Sequence, residues 1–118
     1  MRTGPTNPEL GNLIVDLKRL SIEQNKKLWK RIASDLEKPA RSRRVINLVR
    51  IDKYVKDGET VIVPGKVLSG GDLTKKATVA AFKFSDSAFD KINKVGKAMT
   101  IKELMDSNPA ASKVRILG

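Results

Sequence analysis

The sequence has no cysteine and no histidine. Without cysteine there is no disulfide framework, no thiolate zinc site and no thiol nucleophile. Without histidine the chain lacks the commonest general base and the commonest transition-metal ligand. Most hydrolase triads and most transition-metal centres are thereby excluded. Aromatic residues make up only 4 %: Trp29, Tyr54, Phe82, Phe84 and Phe89. Single-strand binders of the RRM or OB type need exposed aromatic pairs on a sheet. Phe82 and Phe84 have the alternation for one sheet face, but so low a count favours core packing. No apolar run approaches the roughly 20 residues that a bilayer span requires. The start, Met1-Arg2-Thr3-Gly4-Pro5 leading into Pro8-Glu9, has no apolar core with a small-residue cleavage site. The expectation is a soluble cytoplasmic protein with no membrane partner.

What the chain does have is positive charge. Its 118 residues carry 24 Lys and Arg against 13 Asp and Glu, a net charge of +11. Such an excess on a chain of one-domain size points to a polyanion, because each cation near a phosphate releases counterions. The excess is uneven. Residues 1–50 hold 12 cations against 5 acids, and residues 51–118 hold 12 against 8. The densest stretch is Lys38-Pro39-Ala40-Arg41-Ser42-Arg43-Arg44, four cations with no acid. Pro39 blocks helix continuation and biases Lys38 away from helical backbone. An extended connector with splayed cations is expected, and its arginines suit bidentate phosphate contact.

Hydrophobic spacing divides the chain. Asn7-Pro8 is a helix start, and Leu10, Leu13, Ile14, Leu17 and Leu20 form one helical stripe. A second helix is expected over about 25–38, with Leu28, Trp29, Ile32, Ala33 and Leu36 on its apolar face. The two make a helical hairpin with Trp29 in the core. Beyond the connector the grammar is α/β. Residues 45–48 read as a short strand. Leu48, Ile51, Tyr54 and Val55 repeat at helical spacing before the turn Asp57-Gly58. Thr60–Val63 is a β-branched run interrupted by Pro64-Gly65 and resumed at Lys66–Leu68. Ser69-Gly70-Gly71-Asp72 is a turn, and Ala77–Phe84 is a strand. Ser85 or Ser87 caps a helix over about 86–95, with Ala88, Ile92 and Val95 inward and Gly96 at its C-cap. Thr100 with Glu103 is a capping box for a short helix ending at Asn108-Pro109. Lys113–Leu117 is a last strand.

Motifs for chemistry are weak. Gly65-Lys66 and Gly96-Lys97 lack the upstream glycine and following hydroxyl of a phosphate-binding loop. Gly70-Gly71 is foremost a turn. Asp86 and Asp90 lie one helical turn apart and could hold Mg²⁺ together with Glu103 or Asp106. The simpler reading is a dipole-favoured Asp86 and a solvated Asp90. No enzyme activity, metal or cofactor is expected.

A more specific signal runs from Lys66 to Gly96. Lys66-Val67-Leu68-Ser69-Gly70-Gly71-Asp72-Leu73-Thr74-Lys75-Lys76-Ala77-Thr78-Val79 leads into Ala80-Ala81-Phe82-Lys83-Phe84-Ser85, then Asp86-Ser87-Ala88 and Ile92 through Gly96. This resembles the large-subunit ribosomal protein family shared by bacterial L-fifteen and archaeal and eukaryotic L-eighteen-e. Arg41–Leu48, Asp57–Gly65 and Val114–Gly118 resemble the L-eighteen-e branch, and the compact length is similar to its archaeal form. Phe89-Asp90 departs from the pattern, where a more basic helix start is expected. The resemblance implies an N-terminal helical part followed by irregular β-β-α superhelical turns with short strands. It implies one domain over 1–118: a helical part at about 7–38, a basic connector at 38–44 and an α/β part at about 45–118. It also implies a structural role, with large-subunit ribosomal RNA and neighbouring ribosomal proteins as partners, a monomer within the subunit, and no small-molecule substrate. Carried onto this chain, the RNA contacts are Arg41, Arg43, Arg44, Arg50 and Lys53 around the connector. Lys66, Lys75 and Lys76 flank the glycine turn, and Arg2 and Lys38 complete the set.

Two other classes fit the charge. A stand-alone nucleic-acid-binding module could use the basic helix Lys26–Lys38, although its cations surround an apolar stripe without a base-reading group. A membrane-surface protein would need an apolar helix face left over after core packing.

Overall fold

The computed structural model of the protein describes residues 8–38, 44–108 and 114–117. Helix α1 (Pro8–Gln24) buries Leu10, Leu13, Ile14 and Leu17, and α2 (Lys27–Glu37) buries Trp29, Ile32, Ala33 and Leu36. These stripes make the expected hairpin, which Lys18 clips to Glu37 at 2.9 Å. Asn25 does not begin the second helix. It ends the first, with a positive φ of 54°, while its N–H donates to Ile22 and the Lys26 N–H donates to Ser21. That is a Schellman closure, in which asparagine stands where glycine usually does. At the other end Lys38 is extended, as Pro39 requires.

Short strands and helices follow: β1 (Arg44–Asn47), α3 (Leu48–Tyr54), β2 (Thr60–Leu68), β3 (Thr78–Phe84), α4 (Asp86–Val95), β4 (Lys97–Thr100), α5 (Ile101–Ser107) and β5 (Val114–Ile116). All described strand pairings are parallel, and the order is β1-β2-β3-β4. Strand β5 also pairs with β2, at Thr60–Ile62, whereas β1 pairs with Gly65–Leu68.

Parallel sheets need cover on both faces. Val61, Val63, Val79 and Ala81 join α3 and α4 in one cluster around Leu48, Ile51, Ala88 and Ile92. The alternate residues Ile62 and Ala80 join α1, α2 and α5 in the other. The α/β class with an N-terminal helical hairpin is therefore what the structure shows, and β2, β3 and α4 form a β-β-α unit.

Several local readings change or sharpen. The interruption at Pro64-Gly65 does not end the strand: β2 continues through it, with a register shift against β3 between Val63 and Lys66. Pro64 has no registered partner on either neighbour, so its missing N–H costs nothing there. Strand β4 is an addition to the elements that the sequence predicts. Tyr54 is 45 % exposed rather than in the core. Phe82 and Phe84 pack against different clusters, Phe84 in an edge-on contact with Phe89 at 5.8 Å. Ser85, not Ser87, caps α4 by accepting from the Ala88 N–H, and the Thr100–Glu103 capping box forms completely.

Candidate nucleic-acid interface

The candidate interface is built on α3. This short helix buries Leu48 and Ile51, and Val55 follows them into the core. Its remaining surface presents Val49, Arg50, Lys53 and Tyr54 to solvent. The Arg50 guanidinium carbon lies 5.8 Å from the centre of the Tyr54 ring, and Lys53 Nζ lies 5.5 Å from it.

The glycine turn is fastened to this helix. Asn47 Oδ1 accepts from the Gly70 N–H at 3.0 Å, and the Gly70 carbonyl accepts from the Val49 N–H at 2.9 Å. Gly71 has a φ of +83°, and a Cβ there would lie 2.7 Å from Val49 Cβ. Both the conformation and the close approach demand glycine. From the opposite side Lys91 Nζ donates to the carbonyls of Ser69 and Gly71, at 3.1 and 3.0 Å.

Further along, Asp52 accepts from the Thr74 N–H at 2.9 Å and from its hydroxyl at 2.8 Å. The Thr74 N–H is the main reason that the Asp52 carboxyl sits below its usual value of 3.8; burial opposes it, and the Thr74 hydroxyl and Lys75 assist. A depressed carboxyl stabilises the fold above its unfolded value and loses that contribution as pH falls through the folded value. Asp52→Asn should therefore cost about 0.5–1 kcal/mol at neutral pH, a range reduced for solvent screening of an accessible charge. The deficit should shrink as pH falls through the folded value, which lies below 3.8, and vanish once wild-type Asp52 is protonated. Urea unfolding of both proteins across that pH range checks it; a deficit that persists in acid would mean the charge is not its source.

The expected contacts are distributed as follows. Arg50 and Lys53 share the exposed face of α3. Lys66 is exposed on β2 beside Lys83, its register partner on β3. Two like charges on adjacent strands repel each other unless an anion joins them. Lys76 is exposed, with its backbone N–H held by Asp57 at 2.8 Å. Lys75 differs, because its partly buried ammonium donates to the Asp52 carbonyl at 2.6 Å. It therefore braces the loop against α3. Lys38 is exposed and pairs with Asp35 at 3.3 Å. Arg44 opens β1, with its Cα registered to Gly65. Arg2, Arg41 and Arg43 lie outside the described residues.

Sequence reasoning missed Lys83 and the bracing residues Asn47, Asp52, Thr74 and Lys91. Only Lys83 carried a signal, as a cation inside an apolar strand. The others act through contacts between segments distant in sequence. Among the described residues no three acidic side chains converge on a metal position, and no helix is long and apolar enough to cross a membrane. The cations of α2 (Lys27, Lys30 and Arg31) are exposed around the hairpin.

Comparison with known proteins gives a consistent result. Residues 24–100 match the family described as the ribosomal proteins L-fifteen and L-eighteen-e of the 50S subunit and L-twenty-seven-A of the 60S subunit. A protein of Methanoregula boonei named large ribosomal subunit protein eL18 is 49 % identical, over 95 % of this chain and 93 % of its own length. Proteins of the same name from Haloarcula marismortui and Methanococcus maripaludis are 45 % and 43 % identical, each over 95 % of this chain. They are matched over 97 % and 94 % of their own lengths. With most of its length matched by the family and nearly all of it by these relatives, the chain belongs to the ribosomal protein family of L-fifteen, L-eighteen-e and L-twenty-seven-A.

Proposed function

We propose that this protein is a structural constituent of the large ribosomal subunit, located with it in the cytoplasm, where it binds ribosomal RNA and touches neighbouring ribosomal proteins. The observation that carries the reading is near-complete coverage by relatives named as large-subunit proteins. The geometry supplies a mechanism. Charge provides affinity through phosphate contacts, while the braced α3 and glycine turn hold the cations at set positions, so that recognition follows RNA shape. Phosphate positioning uses Arg50, Lys53, Lys66 and Lys76, together with Arg44 and the connector arginines. Lys75 supports this surface from beneath. No substrate, cofactor or reaction enters this role. The chain acts as one domain, which the core shared by its hairpin and the sheet residues Ile62, Ala80 and Met99 supports; it acts as a single copy within the subunit.

The test is sedimentation of a cell extract on a sucrose gradient after a high-salt wash, with this chain quantified by mass spectrometry. Stoichiometric recovery in the large-subunit peak is expected. Loss of the chain from that peak in salt would overturn the structural role and favour a transient binder of RNA or DNA.

A further inference from the structure

We propose that Tyr54 is a stacking platform for an unpaired RNA base, with Arg50 and Lys53 taking the phosphates that flank that nucleotide. The inference rests on the RNA-binding reading above and adds to it a site for a single-stranded nucleotide.

Three observations lead to it. First, Tyr54 is not a core aromatic: it is 45 % exposed, whereas Trp29 is fully buried. Second, two cations approach its ring within 6 Å, and neither forms an ion pair among the described residues. Asp52, the acid of the same helix, accepts from Thr74 and forms no ion pair with either cation among the described residues. Two cations gathered on one exposed ring give a surface that is positive and flat, complementary to a base with its phosphates. Third, the helix carrying them is fixed by the Asn47–Gly70, Val49–Gly70 and Asp52–Thr74 hydrogen bonds, so the platform is in place before RNA arrives.

Phosphate contact alone explains the cations, and their cation–π contact holds them on the ring, but neither requires the ring to be as exposed as it is. Unpaired bases stack on aromatic rings and on guanidinium planes, and every base offers a π-face. Arg50 lies over the Tyr54 ring, so ring and guanidinium are layered and an unpaired base joins that stack.

The experiment is equilibrium filter binding of the full chain to RNA extracted from large subunits, at several salt concentrations. It compares wild type with Tyr54→Leu, Tyr54→Phe and Arg50→Ala. Tyr54→Leu is expected to bind about ten-fold more weakly. Tyr54→Phe should bind within about two-fold of wild type, since the ring is kept. The salt slope of Tyr54→Leu should equal that of wild type because no charge is lost, whereas Arg50→Ala should lower it by about one. Tyr54 belongs to neither core cluster, so the variants should fold alike, and the phenylalanine variant separates loss of the ring from loss of structure. Wild-type affinity in Tyr54→Leu would overturn the platform while leaving phosphate binding intact, as would an equal loss in both Tyr54 variants. Failure of the wild-type chain to bind would instead overturn the RNA-binding reading itself.

Discussion

Gly96→Ala should lower the unfolding free energy by about 3–4 kcal/mol, at the upper end of overpacking effects. The sequence presents Gly96 as a conventional helix-ending glycine, but its φ is −137°, outside the left-handed region that glycine caps usually occupy. Its necessity is steric. A Cβ at 96 would overlap the Ala77 carbonyl oxygen and lie 2.9 Å from the Ala77 nitrogen. Both are main-chain atoms that no rotamer change can move aside. The same carbonyl accepts from the Lys97 N–H at 3.1 Å, the contact through which β4 starts its pairing with β3. Relief therefore means separating two strands. Urea unfolding checks the value, with Gly11→Ala as a control. A Cβ at 11 meets nothing within 4 Å inside α1, and alanine there should add about 0.5–1 kcal/mol. A Gly96→Ala protein within about 1 kcal/mol of wild type would show that the Ala77–Lys97 junction is pliable.

Trp29→Ala should cost about 3–5 kcal/mol, the range for deleting a buried aromatic. Trp29 is wholly inaccessible and lies in the cluster that joins both hairpin helices to Ile62, Ala80 and Met99. Removing it opens a cavity in the contact that holds the hairpin to the sheet. The α3 platform belongs to the opposite face, with Leu48 and Ile51 in the other cluster. Fully folded Trp29→Ala, at low temperature, should thus retain wild-type affinity for large-subunit RNA despite its lower melting midpoint. Circular dichroism and filter binding together test this. Equal loss of affinity and stability would mean that the two faces are coupled through the sheet.

The hairpin was legible in the sequence because an amphipathic stripe records its own burial: Leu10 through Leu17 and Trp29 through Leu36 lie on single helix faces. The capping box at Thr100 was legible because both halves lie within four residues. Strand β4 was not, since Lys97-Ala98-Met99-Thr100 has no β-branched run, and its strand character comes from β3 alongside. Pro64 looked like a break because the two partners that leave a gap beside it, β1 and β5, come from distant parts of the chain. Tyr54 looked like a core residue because the spacing from Ile51 is helical. Val55 completes that face instead, and the seven-residue helix leaves Tyr54 at its margin. At the candidate interface, the excess of cations could be read from composition. Which cations face solvent could not, because the Lys75 tether depends on a carbonyl of α3 meeting a loop more than a helix away.

The division of one edge of β2 between β1 and β5 has a consequence for the order of assembly. Thr60 reaches Val114 across most of the α/β half of the chain, and Leu117 enters the α3–α4 core beside it. A nascent chain that has already made β1 through β4 still offers the main-chain groups of Thr60–Ile62 to solvent. Parallel pairings of such long sequence separation form late and slowly. During that interval the open edge is a template for intermolecular strand pairing. The seam closes only when Val114–Ile116 is laid down, and the Arg115–Glu59 ion pair at 3.0 Å then latches it.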